Sequence, residues 1–101
     1  MLFAFSVAPS TPDESGSVSA AVADAIRVVR DSGLPYELTS MFTTIEGEWD
    51  EVMPVIKAAC DAVAQHDPRV SLVLKADLRP GYHGQLTAKV DRVRQRLDAE
   101  S

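Results

Sequence analysis

The chain has 101 residues, 46% hydrophobic and 25% charged, which is enough apolar material for one modest core and not the composition of a disordered segment. Fifteen acidic against ten basic side chains leave a net charge of −5, which argues against nucleic acid as a partner, because phosphate binding needs clustered Lys and Arg. A single cysteine, Cys60, excludes an internal disulfide and a cysteine-based metal site.

One domain over 1–101 is expected from this length. Met1-Leu2-Phe3-Ala4-Phe5 is apolar but lacks the basic flank of a signal peptide and stops at Ser6, so it reads as a strand. No apolar run is long enough for a membrane span, and the expected compartment is the cytoplasm.

In chain order, Leu2 to Val7 is the first strand, ending at Pro9. Ser10 to Gly16 gathers turn-forming residues and reads as a loop. Val18, Val22, Ile26 and Val29 then recur at helical spacing with Ala21 and Ala25 beside them; Ser17 is the expected N-cap and Gly33 the C-cap. Tyr36 to Met41 and Phe42 to Glu46 form the next two strands; no Asn-Gly or Asp-Gly marks a tight turn near Ser40 and Met41, so the sequence leaves open whether one separates them.

Asp50 is the expected cap of a second helix whose apolar stripe is Val52, Val55, Ile56, Ala59 and Val63, running to about Gln65, with Pro54 removing one early hydrogen bond. Val70 to Asp77 alternates, placing Val70, Leu72, Leu74 and Ala76 on one side and Ser71, Val73, Lys75 and Asp77 on the other. After the Arg79–Gly84 loop, Leu86, Val90, Val93 and Leu97 mark a last helix. The order β-α-β-β-α-β plus a C-terminal helix is that of a ferredoxin-like α+β fold, an antiparallel sheet of strand order 4-1-3-2 with helices on one side.

The face of that sheet away from the helices carries the candidate chemistry. Alternation puts Phe42, Thr44 and Glu46 on it, with Val73, Lys75 and Asp77, and with Leu2, Ala4 and Ser6 of the first strand. Leu2, Phe42 and Val73 make it too apolar for a plain solvated face, and a second sheet packed on it is the simplest explanation. Glu46 has three readings here: pairing with Lys75, starting the next helix, or holding a ligand. Lys75 and Asp77 pair with neighbouring strands or contact a ligand, and Ser17 caps a helix or touches a ligand. Trp49 and Tyr82 anchor local structure or stack on an aromatic ligand, His66 ends a helix, and Cys60 packs. There is no phosphate loop, metalloprotease motif or nucleophile elbow, and two histidines do not make a metal site.

Ser6-Val7-x-Pro9, Ser17-Val18-Ser19, Gly33-Leu34-x-Tyr36-x-Leu38, Ile45-Glu46-Gly47 with Asp50-Glu51-Val52, and Arg69-Val70 leading to Lys75-x-Asp77-x-Arg79 together resemble the small thiamine-binding protein family. The resemblance covers nearly the whole chain. It implies a ferredoxin-like subunit forming homo-dimers or tetramers through the sheet face, and non-enzymatic binding of thiamine or hydroxymethylpyrimidine, without a cofactor. Ser17, Thr44, Glu46, Lys75 and Asp77 are the family-like polar positions for the ligand. The chain departs from the family pattern at Leu78, where a second aspartate is frequent, and at Pro80–Gly84, where a charged stretch is usual. The alternatives are a small enzyme on a dimeric α+β barrel, with Glu46, Asp77 or His83 as general base, and a regulatory or structural oligomer.

Overall fold

The computed structural model describes residues 1–100, arranged as β1 (Leu2–Pro9), α1 (Ser19–Asp31), β2 (Tyr36–Leu38), β3 (Thr43–Glu46), α2 (Trp49–Ala64), β4 (Val70–Asp77) and α3 (Gln85–Ala99). The four strands form one antiparallel sheet in the order β2-β3-β1-β4, as the element order requires. The fold is α+β and ferredoxin-like, with a C-terminal helix added.

Strand β1 sets the layering. Its odd-numbered residues Phe3, Phe5, Val7 and Pro9 are buried, while the even ones between them are only half-buried. The buried side meets Ala21, Ala25 and Val29 of α1 and Val52, Ile56, Ala59 and Val63 of α2, with Ile45 of β3 completing the core. The centre of the α1 stripe falls on alanines rather than on Val22 and Ile26, which are half-buried. Small residues at the contact let a helix lie close to a sheet of bulky Phe side chains.

Local chemistry shifts three expected boundaries. Helix α2 starts at Trp49, not after Asp50: Glu48 is its cap, and Glu51 accepts the Glu48 N–H in a capping box. Pro54 therefore sits a full turn inside the helix, on the exposed side, where the Asp50 carbonyl it leaves free meets water. Helix α1 starts at Ser19, and Ser17 supports it from just outside, its hydroxyl oxygen accepting the Ser19 N–H at 3.1 Å. Strand β2 stops at Leu38, because Thr39 turns the chain: its N–H donates to the Phe42 carbonyl at 3.0 Å and its hydroxyl to the same oxygen at 2.6 Å. The turn thus falls on Ser40 and Met41.

Strand β4 is an outer strand with little helix above it. Only Val70 and Leu74 are half-buried, and Leu72, on the helix side, stays exposed. Helix α3 buries no residue. It is entered through Gly81 and Gly84, at φ of 82° and 68°, a region where a Cβ is strained.

Gly47 closes β3 under tighter limits. A Cβ there would lie 2.8 Å from Cγ2 of Val52, a fully buried β-branched side chain with nowhere to move. Gly47→Ala is expected to lower stability by roughly 1–3 kcal/mol through overpacking, read as an earlier urea midpoint at unchanged slope.

Candidate functional site

The register of the sheet fixes which candidate residues meet. Leu2 of β1 lies between Glu46 of β3 and Asp77 of β4, and Ala4 lies between Thr44 and Lys75. Four of the five candidate residues thus form one patch across three strands, on the face away from α1 and α2. Ser17 is not among them. It lines a small cleft with Pro9, Thr11 and His66, at the other end of β1, about 20 Å away at ~3.3 Å per residue.

Glu46 is the one buried carboxylate of the patch, 8% exposed. Its two oxygens accept the backbone N–H groups of Gln85 (2.9 Å) and Leu86 (3.3 Å), the first residues of α3. Those N–H groups have no partner within their own helix, and the positive end of the helix dipole favours a carboxylate there. A side chain on β3 therefore caps α3 from across the fold, in place of a cap from the residue before it, which is Gly84.

Asp77 faces α3 as well. Lys89 donates a 2.6 Å hydrogen bond to its carboxylate, and that bond and the Lys89 charge hold Asp77 below the usual aspartate range, helped by Arg79 and the chain's N-terminal amine. Arg79 stacks its guanidinium over the Tyr82 ring at 3.5 Å, so Tyr82 is occupied within the loop. Lys75 is exposed and takes part in no hydrogen bond or ion pair among the described residues. Trp49 tilts against Phe3 with 6.0 Å between ring centres, the anchoring use of that side chain. His83 is exposed, its carbonyl accepting from the Gln85 side chain. His66 ends α2 and contacts the Asp24 carboxylate at 2.6 Å, tying α2 to α1.

A second feature, absent from the sequence reading, lies at the opposite end of the sheet. Between α1, β1 and the β2–β3 hairpin opens a cleft of about 190 Å³, walled by Val18, Val22, Ile26, Met41 and Phe42, with Thr43 at its base. It exists because β3 is half the length of β1. Pairing stops at Phe5↔Thr43, so β1 from Ser6 to Ala8 has no strand on that flank. Gly47 N–H donates to the Met1 carbonyl, which puts the main-chain groups of odd-numbered β1 residues on the β3 side. Val7 consequently turns its N–H and C=O toward the cleft, a donor and an acceptor side by side. No charged side chain lines it.

Among the described residues no group of three or more His, Cys, Asp or Glu is placed to hold a metal ion, and no helix is long and apolar enough to cross a membrane.

Two outcomes follow from the α3 attachment. Glu46→Gln keeps the shape but removes the charge and one acceptor oxygen, at a cost of roughly 1–3 kcal/mol to the docked helix. Hydrogen exchange is expected to speed up at Gln85 and Leu86 while Ile56 and Val63 amides keep their protection. The Asp77 contact is also pH-dependent. Its folded value is lowered below the ordinary 3.8, so the contact is fully present above about that pH and is lost as pH falls through the lowered value. Asp77→Asn is expected to flatten the acid side of the stability curve, measured by urea unfolding from pH 2 to 6.

The family model for thiamine-binding proteins matches residues 3–94. The Mycobacterium bovis UPF0045 protein Mb1933 is 51% identical over 98 residues, covering 96% of this chain and 94% of its own. A solved hypothetical protein of Methanocaldococcus jannaschii superposes with a TM-score of 0.80 at 29% identity, over 91% of this chain and 93% of its own. A Thermotoga maritima structure, named for a proposed role in thiamine biosynthesis or salvage, gives a TM-score of 0.74 at 25% identity, over 89% of this chain and 96% of its own. With the strand order, the Ile45-Glu46-Gly47 motif and these matches in agreement, the chain belongs to the thiamine-binding protein family.

Proposed function

We propose that the protein is a non-enzymatic, cytoplasmic, homo-oligomeric binding protein for thiamine or hydroxymethylpyrimidine, and that the pyrimidine half of the ligand enters the cleft beside Val7. The observation that carries this is the unpaired flank of β1. An aminopyrimidine presents a ring nitrogen and an adjacent amine, an acceptor beside a donor, complementary to the Val7 N–H and C=O in the way an added strand would be. Val18, Val22, Ile26 and Phe42 supply the apolar walls for a ring.

The volume and the lack of charge both favour one neutral ring over the whole two-ring molecule. At about 190 Å³ the cleft is below the usual range of roughly 300–1,000 Å³ for drug-sized ligands. It also offers no carboxylate to a thiazolium cation. Burying roughly 150 Å² of ring contributes about 4 kcal/mol at most. Two main-chain hydrogen bonds add roughly 1–3 kcal/mol. Together these correspond to a dissociation constant of about 10–200 μM.

The geometry favours binding over catalysis. Glu46 and Asp77, the carboxylates a general base would come from, already accept hydrogen bonds from α3, and neither lines the cleft. A second reading places the ligand on the Thr44–Glu46–Lys75–Asp77 patch, with Ser17 serving only its helix. It is favoured by one observation, the unpartnered ammonium of Lys75 beside those residues.

Calorimetric titration separates the two. Hydroxymethylpyrimidine and thiamine are expected to bind with similar affinity and an isolated thiazolium not at all. Val18→Trp, which plugs the cleft from an exposed position, is expected to weaken binding at least tenfold, with Lys75→Ala unchanged. The reverse result assigns the ligand to the sheet patch, and no heat at 1 mM ligand overturns both readings.

A further inference from the structure

The cleft beside Val7 holds one side chain that its apolar walls do not explain. Thr43 belongs to the helix-facing side of β3, in phase with Ile45, and stands opposite Phe5 at the last pair before the flank of β1 falls open. It is 4% exposed, and its hydroxyl takes part in no hydrogen bond among the described residues. None of those residues has a side-chain oxygen or nitrogen that is both sealed off and unpartnered, so the access Thr43 keeps is at its hydroxyl oxygen, where it borders the cleft. A valine of nearly the same shape suits a strand equally well and avoids the cost of an unpaired hydroxyl in an apolar setting. The other hydroxyls around the cleft are accounted for. Thr39 donates to the Phe42 carbonyl, Ser40 is exposed in the turn, and Ser6 belongs to the opposite face of the sheet.

Chain direction selects the part of a bound ring that meets Thr43. Along β1 the Val7 N–H lies toward Ser6 and its C=O toward Ala8, and Thr43 stands opposite Phe5, on the N–H side. In an aminopyrimidine paired with Val7, the ring nitrogen next to the amine accepts from the N–H, and the amine donates to the C=O. The amine therefore lies toward Ala8. The other flank of the ring, which carries the second ring nitrogen, lies toward Thr43. That nitrogen is an acceptor, and a threonine hydroxyl is a rotatable donor.

We propose that Thr43 is the specificity-determining residue of the cleft, its hydroxyl donating to the second ring nitrogen, so that the protein selects a pyrimidine over a pyridine of the same shape. The inference rests on the cleft reading above and deepens it. Val7 recognises the pair formed by one ring nitrogen and the amine, which an aminopyridine also has. Thr43 recognises the nitrogen that only the pyrimidine has. A pyridine presents a C–H there and leaves the hydroxyl unpaired, which lowers its affinity.

Calorimetry at pH 9, where both probes are uncharged, compares hydroxymethylpyrimidine with its pyridine analogue, the same molecule with C–H in place of that second nitrogen. Wild type is expected to bind the pyrimidine roughly two- to tenfold more tightly, the effect of one neutral hydrogen bond. Thr43→Val is expected to bind both probes alike, with a thermal midpoint unchanged or raised. Thr43→Ser, which keeps the hydroxyl, is expected to keep the preference. A preference that survives in Thr43→Val, or a wild type with none, overturns the role of Thr43 and leaves the cleft reading standing, provided Val18→Trp still blocks both probes. A lowered midpoint in Thr43→Val assigns the hydroxyl to the fold and overturns the role as well. No heat from either probe at 1 mM, or heat untouched by Val18→Trp, overturns the cleft reading and this one with it.

Discussion

The carboxylate of Glu46 decides how the sheet's second face is used. It is buried, and a buried carboxylate without partners would be expensive. Its two hydrogen bonds to the start of α3 solve two problems together: the charge is neutralised by oriented N–H groups, and a helix that buries no side chain acquires a fixed origin. Everything on that face follows from the helix starting there. Lys89 comes within reach of Asp77, Leu86 and Val90 lie beside Tyr36 and Glu37, and the β1–β4 half of the face remains open.

This arrangement separates two roles that the polar residues of the open face had seemed to share. Glu46 and Asp77 serve the attachment of α3, and the apolar cleft with an unpaired main-chain flank lies at the other end of β1, past the point where β3 ends. The separation has a simple physical origin. A four-residue β3 satisfies the main chain of β1 only as far as Phe5, so the rest of that flank needs another partner.

Most of the architecture was legible in the sequence, because it rests on periodicity. Val70–Asp77 alternates apart from Val73, whereas both faces of Leu2–Val7 are largely apolar and the sequence left its phase open; the register settles it, placing Leu2 between Glu46 and Asp77. What the pattern missed was set by single side chains acting on the backbone. Glu48, not Asp50, starts α2, because Glu51 stands three residues on and closes the box. Thr39 ends β2 early by bonding its own turn. The partner of Glu46 was out of reach of any local reading, since Gln85 and Leu86 lie about forty positions away and the pattern of a strand says nothing about which helix end will cross it. The cleft was hidden for the opposite reason: it is made of main chain, and main-chain vacancies leave no residue type behind.

Gly47 ties these levels together. It follows Glu46 where the chain must leave β3, and Val52 leaves no room for a Cβ there, so α2 packs directly against the end of the strand that holds α3. A larger residue would push on the backbone that aims the Glu46 carboxylate, displacing α3 on one face through a clash on the other. The Ile45-Glu46-Gly47 motif therefore joins three requirements in consecutive residues: Ile45 fills the core, Glu46 fixes a helix on the opposite face, and Gly47 lets α2 come close enough to hold both in place. A motif with that division of labour is structural first.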